Sequence, residues 1–304
     1  MDADWSTVVV RFALYGDLAL LFGVPLAATW LLRVDANLAR YWGRVTASVA
    51  VAGIVLSVMG LLVTARTMMG AESYLAIDGE TLRMIVTETG LGIAWQVRML
   101  ALLVCLLACV VPRQSRATRI ILPMAAAVAL ATLAWGGHGV MNEDLRRAIH
   151  LPVDIVHLLA AGTWVGALAV FVSMSSPNRA GAASSVAGLS RAASGFAHVG
   201  AGIVVMLVVT GVANYILVAG PRLSGLLSTR YDGLLLAKLA LFCAMLGLAA
   251  INRYRLAPRL AQSVHSRDEG AAVVALRRSL QCESACAMIV LWLVAWLGTL
   301  SPGH

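Results

Sequence analysis

Three of the six histidines in this 304-residue chain, His138, His150 and His157, fall between Gly137 and Phe171, and the same stretch supplies Met141 and Asp154. Imidazole and thioether groups are donors that suit copper, and a carboxylate beside a ligating imidazole can hold its second ring nitrogen. Helical spacing from His150 onward puts His150, Asp154, His157 and Trp164 at i, i+4, i+7 and i+14, on one face, with Leu, Val and Ala opposite. Pro152 suits a first turn, where the amide it lacks would have been unpaired anyway, so the helix is expected to begin near His150. Glycines on both sides of His138 provide a tight backbone able to aim its ring inward. The spacing matches no zinc-finger or metalloprotease pattern. A second reading stays open, in which Asp154 and His157 simply pair between helices.

Other residues extend this chemistry. Asp17, Arg98 and Lys238, the only lysine, are charges inside apolar segments and need partners there. They form a candidate charge and proton relay, with Lys238 or Arg98 expected to meet Asp17 or Asp154 at matching depth. Cys105 with Cys109, and Cys282 with Cys286, stand at i and i+4 near the opposite end of their segments, and Cys282 and Cys286 flank Glu283. Cysteine packs as a small apolar residue, and it also offers thiolates for a Cu(I) exit site on a reducing side. No cysteine is placed for an exported disulfide.

The elements that position these groups follow from composition. Hydrophobic residues make up 60% of the chain and charged residues 12%, against about 25% in a soluble domain. The expectation is an all-α polytopic transmembrane bundle, a single unit over 1–304. Eight spans of membrane-crossing length are expected near 9–32, 45–65, 91–111, 118–136, 151–174, 197–219, 233–251 and 280–299. Span two offers Gly53, Ser57 and Gly60 for close helix packing. Between spans two and three, 66–90 reads as an acidic loop with Met68, Met69 and Met84.

Charge orients the bundle. Segments 33–44, 112–119, 175–196 and 252–279 hold 14 arginines, while 66–90, 137–150 and 220–232 hold 6. The positive-inside rule puts the arginine-rich set in the cytoplasm and both termini outside. That asymmetry accounts for the net charge of +8, so no nucleic-acid partner is implied. The acidic start Met-Asp-Ala-Asp-Trp lacks a basic leader region, so the first span is expected to remain in place. Neither a P-loop, a nucleophile elbow, a dinucleotide fingerprint nor an HExxH motif occurs, and no enzyme is expected.

The stretch H-L-P-V-D-I-V-H-L-L-A-A-G-T-W-V-G-A-L (150–168) resembles the membrane signature of the CopD family of copper resistance and copper uptake proteins. The likeness continues through 196–215, 226–241 and 251–260. It covers a core at 135–300 well, and the N-terminal spans at 1–134 in topology only. Two departures stand out: Phe196 is followed by Ala197 instead of serine, and Asp232 interrupts a Thr-x-Tyr-Gly turn. The resemblance implies a multi-pass inner-membrane protein handling copper beside a periplasmic carrier of the CopC type, with His138, His150, Asp154 and His157 as the places for metal. Self-association into a homo-oligomer is left open. The alternative from another class is a haem-carrying or quinone-linked electron-transfer bundle, because paired histidines on neighbouring helices also hold haem iron.

Overall fold

The computed structural model describes residues 4–31, 36–71, 73–110, 116–136, 145–176, 186–219, 229–266 and 269–300. Ten α-helices run through them in order: α1 Trp5–Leu26, α2 Ala36–Met69, α3 Gly79–Glu88, α4 Gly90–Val110, α5 Arg116–Ala131, α6 Leu145–Met174, α7 Val186–Ala219, α8 Arg230–Ile251, α9 Ala257–Ser266 and α10 Glu269–Leu297. No strand occurs among the described residues. Eight helical segments among the described residues, built on every helix except α3 and with α8 running on into α9, are long and apolar enough to cross a bilayer. Lipid offers no partner for a free backbone amide or carbonyl, so helices are the form such segments take. The protein is a multi-pass membrane protein of the all-α class, as expected.

Eight consecutive crossings bring both ends of the chain to one face, called here the termini face; the opposite face is arginine-rich. The start of α1 and the end of α10 meet there. Trp5 packs against Trp292 and Trp296 at ring separations of 6.3 and 5.2 Å, and Arg11 Nη1 donates to the Gly298 carbonyl at 3.0 Å. Asp4 caps α1 by accepting from the Ser6 amide at 3.1 Å, and pairs with Arg66 of α2 at 3.3 Å.

Several boundaries differ from expectation, each for a local reason. α6 starts at Leu145, so Pro152 lies in its interior and not in its first turn. Leu145 to Ile149 are mostly good helix formers, and a membrane helix tolerates the bond that proline removes. The 66–90 segment is largely helical: α2 continues to Met69, and Asp78 caps α3 by accepting from the Thr81 amide at 2.7 Å. α7 and α10 begin 11 residues earlier than the expected spans, at Val186 and Glu269. α8 passes through a π turn, Asn252–Leu256, straight into α9. At the interrupted turn, Thr229 and Asp232 form a reciprocal cap that starts α8, so the departing aspartate performs a folding role.

α1 sits at the centre. Its most apolar window is 56% buried within the molecule, against 11% for α7 and 6% for α8. Gly23 of α1 crosses Gly162 and Gly166 of α6 so closely that a Cβ on Gly23 or Gly166 would overlap the backbone of the other helix. Small residues at i and i+4 permit such an approach. α1 also packs on α2, where Gly53 leaves room for the Asp17 carboxylate and the Ser57 side chain is fully enclosed.

Candidate metal centre

The polar stripe of α6 faces α7 in its termini half. His157 Nδ1 lies 2.9 Å from Thr210 Oγ1. The Thr210 hydroxyl donates its one proton to the Met206 carbonyl at 2.6 Å, as β-hydroxyls on helices often do. Thr210 therefore accepts from His157 Nδ1–H, which leaves the lone pair on Nε2. That is the tautomer of a metal-ligating imidazole oriented by a neighbour. The ring Cε1 lies 3.6 Å from where a Cβ on Gly211 would stand, so bare backbone gives the imidazole its space.

One turn toward the termini face, Asn214 Nδ2 donates to Asp154 Oδ1 at 3.2 Å, while Asn214 Oδ1 is buried and finds no partner among the described residues. The two contacts, His157 to Thr210 and Asp154 to Asn214, match antiparallel helices in register. Lys238 of α8 acts electrostatically on both Asp154 and His157 without closing an ion pair within 4 Å. α8 packs mainly on α10 and makes little direct contact with α6 or α7. His150 is 3% exposed.

Among the described residues no group of three His, Cys, Asp or Glu side chains is arranged to hold a metal ion. His138 and Met141 lie outside the described residues. His150, Asp154 and His157 thus share a helix stripe without forming a closed cage.

The expected relay divides. Of its two proposed carboxylate partners, Lys238 addresses Asp154. Asp17 lies elsewhere, against Gly53 of α2 and within reach of Leu102 of α4, and its Oδ2 has no hydrogen-bond partner among the described residues. Arg98 meets neither carboxylate: its Nε donates to Thr132 Oγ1 at 2.8 Å, because the turn after α5 brings that hydroxyl closer than any acid among the described residues. The cysteine pairs stay apart. Cys105 and Cys109 pack in a cluster built from α1, α4 and α5, whereas Cys286 packs against a second cluster around α6, α7 and α10, and Cys282 is exposed.

Two turns from His157 along the same stripe, Trp164 faces the arginine-rich half. Its indole lies beside Glu283 of α10, which is 2% exposed and accepts from Asn252 Nδ2 at 2.9 Å. These three residues line an otherwise mostly apolar cleft of about 380 Å³ between α6, α7, α8 and α10. Thr210, Asn214 and the Gly162/Gly166 pair escaped the sequence reading as site-builders. The signals were present: Thr210 and Asn214 stand four apart, as do the two glycines.

Residues 1–148 match the family described as "Copper resistance protein D-like, N-terminal domain", and residues 190–297 the one described as "Copper resistance protein D". The chain is 42% identical to "Copper resistance protein D" of Pseudomonas syringae pv. tomato, over 98% of this chain and 97% of that protein. It is 28% identical to "Inner membrane protein YebZ" of Escherichia coli (strain K12), over 98% of this chain and 99% of that protein. No solved structure matches the chain. The likeness therefore extends through the first half, where the sequence motifs alone carried topology.

Proposed function

The chain belongs to the copper resistance protein D family, and from that premise we propose that it carries copper across, or binds it within, the inner membrane, receiving it at the periplasmic face. The termini face is the periplasmic one in this reading, because the alternate segments hold the excess of arginine. Copper is the cargo. His157 and His150 of α6 receive it together with His138 and Met141 from the preceding segment, and Asp154 with Lys238 balances the charge that arrives. A periplasmic carrier of the CopC type hands the metal over, and a homo-oligomer would repeat the site in each copy.

One observation carries the reading: the Thr210 hydroxyl holds Nδ1 of His157, leaving Nε2 as a free donor in a half-buried position. Across that interface His157 meets threonine and not a second histidine, which favours a cargo ion over a haem sandwiched between helices. The deciding measurement is copper bound per mole of purified protein, wild type against His157→Ala, together with cell-associated copper. The variant is expected to lose bound copper and to change accumulation. Unaltered binding and accumulation reject the site.

A further inference from the structure

A second cavity, of about 290 Å³, lies between α1, α2, α4 and the turn after α5, and His157 is not among its lining residues. Its lining includes Arg11 and Arg98 and, among the described residues, no aspartate or glutamate. Neither arginine has a carboxylate partner: the one ion pair among the described residues joins Asp4 to Arg66. By helical rise, Arg11 stands about 9 Å and Arg98 about 12 Å inside the starts of their helices. Two like charges at that depth are costly unless something neutralises them.

Their donors are only partly used. Each guanidinium has five N–H groups. Arg11 spends Nη1 on the Gly298 carbonyl, and its Nε is buried without an acceptor. Arg98 spends Nε on the Thr132 hydroxyl and reaches the Thr132 carbonyl at 3.5 Å through Nη2. Tyr15 lines the same cavity and interacts electrostatically with Arg98, so its hydroxyl adds a donor. The hydroxyls of Thr7 and Thr64 spend their protons on Asp4 and the Gly60 carbonyl. The wall therefore presents unspent donors and two positive charges. A halide would use few of these donors, whereas paired guanidinium forks match a tetrahedral oxyanion.

We propose that Arg11 and Arg98 form a binding site for a phosphate group, supplied either as free inorganic phosphate or as the headgroup of an anionic phospholipid. The site is independent of copper, so it stands or falls apart from the histidine reading.

The test uses the full-length protein, delipidated in neutral detergent, with thermal unfolding as the readout at constant ionic strength. Inorganic phosphate, phosphatidylglycerol micelles and chloride are titrated separately. A ligand at one hundred times its dissociation constant stabilises a protein by about 2.7 kcal/mol, enough to move the midpoint by several degrees. Phosphate or phosphatidylglycerol is expected to raise the midpoint saturably, and which of them does so identifies the source. Arg98→Gln and, separately, Arg11→Gln should abolish the shift, while Arg83→Gln in exposed α3 retains it. Direct binding of radiolabelled phosphate or lipid covers the case in which a variant loses stability of its own. A response to chloride equal to that of phosphate, no response to phosphate or phosphatidylglycerol, or a shift surviving in either arginine variant, overturns the proposal.

Discussion

A single hydroxyl governs the chemistry available at His157. With the Thr210 proton on the Met206 carbonyl, the threonine accepts, and the tautomer that fits carries the imidazole proton on Nδ1. Thr210→Val keeps the shape and removes the acceptor. It should weaken copper binding by about 10- to 100-fold, the usual cost of losing the group that orients a ligand. Thr210→Ser should restore it, and a copper titration of the purified variants checks both. Asp4 offers a separate test at residue scale. Hydrogen bonds from the Ser6 side chain first, then from Thr7 and the Ser6 amide, with Arg66 adding its charge, hold its carboxyl below the usual carboxylate range. The cap is therefore fully present above that range and disappears as pH falls through the lowered value. Asp4→Ala should cost about 1 kcal/mol at neutral pH and nothing in strong acid, read as the difference in unfolding midpoint across a pH series.

Among the elements, the crossing of α1 with α6 is the one that admits no substitute. Gly23 and Gly166 face each other backbone to backbone, so an added side chain has no flexible neighbour to displace. Gly166→Val should destabilise by about 3 kcal/mol or more, seen as a fall in the unfolding midpoint or loss of folded protein in the membrane. Gly202→Val, on α7 with open space around its Cβ position, should be tolerated. The same scale shows what the sequence makes legible. The spans are readable because lipid imposes twenty apolar residues on any crossing, and all eight fall where hydropathy puts them. The stripe on α6 is readable because helical periodicity is local. Thr210 and Asn214 are not, since nothing in α7 says which helix it will face, and that choice is made by packing around α1. The partner of Arg98 is hidden for the same reason: a threonine 34 positions away, brought near by a turn, outcompetes every acid.

At the scale of the whole molecule, the arginine count predicts which way the bundle faces. A reporter active only outside the cytoplasm should work when fused after His304 and fail when inserted between Ser176 and Val186, with whole-cell activity as the measurement. The reverse pattern would move the histidines to the cytoplasm and turn the receiving face into a delivering one. The molecule is also unevenly held together. α1, α2 and α4 to α6 pack around one another, while α7 and α8, which bring Thr210, Asn214 and Lys238 to the α6 stripe, are the least enclosed. The wall beside the imidazole is thus built from the two helices that the rest of the bundle encloses least. A bilayer thinner or thicker than those two helices would be expected to tilt them relative to α6 and so to alter the hold on Nδ1. On the proposed reading, copper affinity should therefore shift when the purified protein is moved between bilayers of different thickness.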